Sequence, residues 1–129
     1  MNEDFVSFEL AVKLKERGLN IPFYFFYRSD DKLIHHAMVA KPLVYCDNID
    51  DEVVCAPTIP QVLKWLREAK NVFIEISITT SGYYSTVYSN IDLTLANKTT
   101  YYQEYVGATN EDYNNCVLEA IEYILDNLI

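Results

Sequence analysis

Residues 71–89 read NVFIEISITTSGYYSTVYS. Val72, Ile74, Ile76 and Ile78 take alternate positions, with Phe73, Glu75, Ser77 and Thr79 between them. A period of two marks a strand with different surroundings on its two faces. Ser81 and Gly82 interrupt the run, and YYSTVYS resumes it. The stretch therefore predicts an antiparallel hairpin. Its β-branched and aromatic residues suit a pleated surface.

Helical signals bracket this hairpin. Upstream, Thr58 and Gln61 have capping-box spacing, and Pro60 falls in the first turn, where a missing N–H costs little. Ile59, Val62, Leu63, Leu66 and Ala69 then share a face, which predicts a helix ending near Lys70. Downstream, residues 90–98 favour neither state, and TYYQEYV (100–106) predicts a strand that stops at Gly107. Thr109 and Asp112 form an approximate capping pair. After them Tyr113, Cys116, Val117, Ala120, Ile121, Ile124, Leu125 and Leu128 repeat at i, i+3 and i+4. Such a long apolar stripe has to be covered, by the chain's own sheet or partly by a second copy.

The first half follows a similar grammar. Ser7 caps a predicted helix over 7–17, with basic residues near its end and Gly18 as its stop. PFYFFYR (22–28) and LIHHAMV (33–39) flank a polar turn and predict a second hairpin. Residues 41–56 are irregular, and the acids Asp47, Asp50, Asp51 and Glu52 predict an exposed loop. The expected order is α-β-β-α-β-β-β-α. This is an α+β chain with a largely antiparallel sheet of about five strands and three helices. Hairpins without a βαβ rhythm are the reason. Helix-then-hairpin occurs twice, at 7–39 and 58–89, a hint of duplication.

With 129 residues, the length is that of one domain over 1–129, and half the residues are hydrophobic. Three Gly and four Pro argue against disorder. The net charge of −9 is uneven. Residues 1–70 carry nine basic and eleven acidic groups, or −2; residues 71–129 carry Lys98 against eight acids, or −7. That field repels phosphate backbones, so direct nucleic-acid binding is not expected. A basic partner fits it, as does an acidic decoy of a DNA-binding protein. Cys46, Cys55 and Cys116 read as reduced, intracellular cysteines instead of a disulfide framework. The acidic start does not read as a signal peptide, and no apolar run approaches the length of a membrane span. A cytoplasmic location is expected.

Three segments carry a resemblance: FVSFELAVKLKERG (5–18), APTIPQVLKWLRE (56–68), and the closing helix ending in NLI (127–129). Together with their flanks in 1–27, 56–76 and 110–129, they resemble a family of small proteins of unknown function. Gut bacteria and their phages and mobile elements encode that family. The resemblance implies an α+β fold and a phage or mobile-element origin. It implies no activity, cofactor or site residue.

Candidate chemistry is sparse. His35 and His36 are the only histidines, and neighbours in a strand point to opposite faces. A Cys–His nucleophile pair would need Cys46 or Cys55 beside one of them. The acids of 47–52 lack the spacing and glycine of a calcium loop. So few glycines leave no phosphate cradle. No catalytic, cofactor-binding or metal-ligating residue is assigned, and no cofactor is expected. Eleven Tyr and six Phe are the excess that needs explaining. Sheet packing is the simpler account; aromatics also concentrate at interface cores. Trp65 and Arg67 on the second helix, with Tyr84, Tyr88, Tyr101 and Tyr105 on strands, are the candidate interface residues. The leading expectation is a non-enzymatic protein-binding module, self-associating into a homo-oligomer. The alternatives are the acidic decoy and a small-molecule binder or enzyme near His35 and His36.

Overall fold

A computed structural model describes residues 4–22, 24–36, 52–92 and 100–129. The chain divides into two compact units, residues 1–65 and 66–129. The described residues form three helices and six strands in the order α-β-β-β-α-β-β-β-α. The α+β class therefore holds, but the expected single sheet of about five strands is two separate three-stranded antiparallel sheets.

In the first unit, α1 spans Phe8–Glu16 and is capped by Ser7, whose hydroxyl accepts the Leu10 N–H at 3.2 Å. Gly18 follows with φ +84°, the left-handed conformation that ends the helix. Strands β1 (Phe25–Arg28) and β2 (Ile34–His36) form the expected hairpin. The extra strand is β3 (Val53–Cys55), inside the stretch read as a loop. Three residues are too few to show a period. Their partner β1 lies far off in the chain, so only the pairing Phe26↔Cys55, Tyr27↔Val54 and Arg28↔Val53 defines the strand. The sheet order is β2-β1-β3, with β1 central.

This small sheet is held from its central strand. Tyr27 is buried, meets Phe8 edge-to-face at 5.7 Å, and donates its hydroxyl to the Val6 carbonyl. The Val6 N–H in turn donates to the Pro57 carbonyl at 3.1 Å. Phe5 meets Phe25 edge-to-face at 5.2 Å. Leu10, Ala11 and Leu14 of α1 are buried, and the helix packs against β3. Helix α2 (Ile59–Lys70) opens with the expected reciprocal box: Thr58 N–H donates to Gln61 Oε1 at 2.9 Å, and Gln61 N–H to Thr58 Oγ1 at 3.4 Å.

In the second unit, β4 (Val72–Thr79) and β5 (Gly82–Asp92) pair along the whole of β4, from Val72↔Ser89 to Thr79↔Gly82. Strand β5 absorbs the first three ambiguous residues; 93–99 lie outside the described residues. Strand β6 (Thr100–Val106) lies on the far side of β5, in the order β4-β5-β6. The first sheet places its first strand in the centre and the second its middle strand, which weighs against duplication.

Helix α3 (Tyr113–Asn127) packs on β5 and β4, burying Cys116, Val117, Ala120, Ile121, Ile124 and Leu125. Its cap is Asp112, accepting the Asn115 N–H at 3.2 Å, three residues later than Thr109. The delay has a cause in the sheet. Asn110 and Tyr83 exchange both backbone hydrogen bonds at 2.7 Å, so the chain is still extended at Asn110. Gly82 permits that approach: with φ +134°, a Cβ there would sit 2.4 Å from the Asn110 carbonyl oxygen.

Candidate functional site

Directly paired residues of antiparallel strands share a face. One face of the second sheet carries Tyr83, Ser85 and Val87 toward α3. Tyr83 meets Tyr113 edge-to-face at 5.5 Å, and Tyr105 stacks on Tyr123 at 4.0 Å and 15°. Cys116 is a free, buried thiol at this seam. Burial pushes its ionisation up, Glu119 adds to that, and a hydrogen bond with Ser85 partly offsets it. It remains a protonated, inert packing group.

The opposite face carries Phe73, Glu75 and Ser77 of β4, with Thr86, Tyr84 and Tyr88 of β5. Glu75 stands opposite Thr86, so it is diagonal to both Tyr84 and Tyr88. Tyr101 adds a ring 5.0 Å from Tyr88 at 82°. Tyr101 is 55% exposed, Glu75 is exposed, and Tyr84 and Tyr88 are half-buried. Burial first, then the charge of Glu75, pushes the Tyr88 phenol above its ordinary range. On this face the Glu75 carboxylate is flanked diagonally by Tyr84 and Tyr88, and Tyr101 adjoins Tyr88 from β6, on the other side of β5. The single basic residue of 71–129, Lys98, lies outside the described residues.

Three of the six interface candidates, Tyr84, Tyr88 and Tyr101, therefore share one face, with Tyr88 and Tyr101 in contact. Tyr105 does not join them. A strict alternation would put Tyr101 and Tyr105 on one face. The register slips between Val87↔Tyr105 and Tyr88↔Gln103, and this bulge sends Tyr105 to the helix side. Trp65 is buried, only 7% exposed, while Arg67 is exposed, so they do not form an exposed pair. Glu75 was not among the candidates. Its signal was available as the one acid within the alternating strand.

A second place is the first sheet's outer surface. Phe26 pairs with His35, and Phe25 with His36, so the histidines point to opposite faces as expected. His35 lies over the Phe26 ring at 5.4 Å and 21°. Its Nε2–H donates to Asp31 Oδ2 at 2.9 Å. The Leu33 N–H, foremost, and His35 hold the Asp31 carboxyl below its usual range. A cavity of about 590 Å³ has Phe26, Arg28, Asp30, His35 and Glu52 in its lining. Arg28 and Asp30 form an exposed pair at 3.2 Å.

This arrangement can hold a proton or a polar ligand, but Cys55 supplies no thiolate to it. Cys55 is in a disulfide, which corrects the expectation of reduced cysteines; sequence spacing carried no pairing signal. Asp47, Asp50, Asp51 and Cys46 lie outside the described residues. Among the described residues, no three His, Cys, Asp or Glu side chains converge as a metal site. Nor is any helix there long and apolar enough to cross a membrane. In comparisons with known proteins, no family model, curated protein or solved structure matches the chain.

Proposed function

We propose that this chain is a non-enzymatic accessory module of phage or mobile-element origin that binds a partner protein on the Tyr84–Tyr88–Tyr101 face. The observation that carries this is the division of aromatic residues in the second sheet. One face is spent on α3, while the other offers phenols at a surface position. Tyrosine gives large contact area with a polar tip and loses little conformational freedom on binding. The resemblance in 5–18, 56–68 and 127–129 is the support for the mobile-element origin.

A photo-crosslinking residue at position 101 tests the role, with the same residue at Glu122 on the outer side of α3 as the control. Capture of one discrete protein from position 101 is expected, lost on Tyr84→Ala combined with Tyr101→Ala. Capture from position 122 alone would overturn the assignment of the face. Self-association into a homo-oligomer is the other form of protein contact, and light scattering reads it directly. It has to overcome the repulsion of two segments at −7. An acidic decoy needs its carboxylates on one convex face. Glu75 and Glu122 instead occupy opposite sides of the second unit, which weighs against that role. The same charge supports exclusion of direct nucleic-acid contact.

The pair His35–Asp31 beside its cavity favours a second role, a small polar ligand site. His35 ring signals should move with any ligand bound there, and hits that survive His35→Ala would remove this role. A cytoplasmic setting draws on Cys116 remaining a buried thiol. The disulfide at Cys55 pulls against it, since disulfides persist mainly in oxidising compartments. Alkylation and mass measurement of protein trapped in cells decides between them.

A further inference from the structure

Given the protein-binding role proposed above, we infer that Tyr88, Tyr101 and Glu75 form a receptor for a lysine or arginine side chain of a basic partner segment. The Tyr88 and Tyr101 rings stand nearly perpendicular, at 82° and 5.0 Å. They present two walls meeting at a corner, where a flat stack would present one. A cation set against the electron-rich face of either ring is attracted to it. Glu75 supplies the counter-charge from the neighbouring strand, diagonal to Tyr88 across the pair Glu75↔Thr86. Tyr84, two residues from Thr86 on the same face, closes the other side of that carboxylate.

The surroundings select the sign of the occupant. Residues 71–129 carry −7, so an approaching acidic or phosphate-bearing segment is repelled before it reaches the corner. A neutral apolar segment would have to desolvate Glu75 without compensation, which is unfavourable. Burial foremost, and then the Glu75 charge, push the Tyr88 phenol above its ordinary range. A basic side chain relieves both the local carboxylate and the wider field. Steering by that field also speeds encounter and weakens with salt.

The test uses the full chain and three blocked pentapeptides: one with two lysines among glycines, its glutamate counterpart, and pentaglycine. Aromatic NMR signals of Tyr88 and Tyr101 are followed at low salt. The lysine peptide should move both, more strongly than the other two. Glu75→Gln and Tyr101→Ala should each weaken its binding about two- to fivefold. Equal response to the glutamate or glycine peptide would overturn the receptor, as would lysine-peptide shifts confined to α3. Failure here is separable from failure of the binding role. If the position-101 cross-link to a partner survives Glu75→Gln unchanged, the cation receptor falls and the protein-binding face stands. If no partner is captured there, the face itself falls.

Discussion

The two three-stranded sheets reach similar topological size by different means. The first has strands of three or four residues and depends on a few specific contacts to its central strand. Tyr27 ties it to Val6, and edge-to-face rings brace Phe5, Phe8 and Phe25. The second has a hairpin paired over all eight residues of β4 and a fifteen-residue helix laid on one face. A long ladder with one covered face can leave its other face to surface chemistry. A short sheet has fewer backbone bonds, so its stability is concentrated in individual side chains.

The largest expected effect breaks the covered face of the second sheet. Ile121→Ala removes a fully buried side chain from α3 and should cost about 2–5 kcal/mol. Ile78→Ala changes the same residue type where it is 81% exposed, and should stay within about 0.5 kcal/mol. Similar urea midpoints for the two variants would refute the contrast between them.

Gly82→Ala is next. It forces a Cβ into the Asn110 carbonyl at a backbone angle that disfavours any side chain, at a strain cost of about 1–3 kcal/mol or more. Amide exchange at Tyr83 and Asn110 should rise with it. Protection left unchanged would mean that this bridge does not hold the entry to α3.

Tyr27→Phe probes the first sheet. It strips the Val6 carbonyl of a buried donor, at about 1–3 kcal/mol. It should also change the alkaline limb of stability. Burial, then the nearby Glu9, raises the Tyr27 phenol above its ordinary 10.0, so the folded state favours the protonated form. Its contribution is intact below pH 10.0 and is lost as pH rises through the folded value. The variant should lose stability less steeply there; an identical slope would exclude Tyr27 as the titrating group. The smallest effects are the helix caps. Ser7→Ala and Asp112→Ala should each cost about 1 kcal/mol by thermal melting, and a silent Asp112→Ala would return the cap to Thr109.

Elements defined by local chemistry were legible before the fold. Ser7 and Gly18 bound α1, Thr58 and Gln61 open α2, and the alternation over 72–79 marks β4 with its pairing partner beyond Gly82. What escaped depends on contacts across the chain. Val53–Cys55 has no period of its own and becomes a strand only against β1. Asp31 stood in a polar turn and became a partner of His35 only when that turn closed. Tyr105 stands four residues after Tyr101, which alternation would put on the same face, but one bulge reverses which face it serves.

The sequence by itself determined the α+β class, the start of α1 and α2 set by their caps, and the acidic, tyrosine-rich character of the second half. These follow from side-chain periodicity and from charges and hydroxyls that act within a few residues. Tertiary structure alone decided that the strands form two sheets, and that Tyr101 of β6 comes against Tyr88 on the face that carries Tyr84 and Glu75. Strand pairing joins residues distant in the chain, and a one-residue slip in register exchanges the two faces of a sheet.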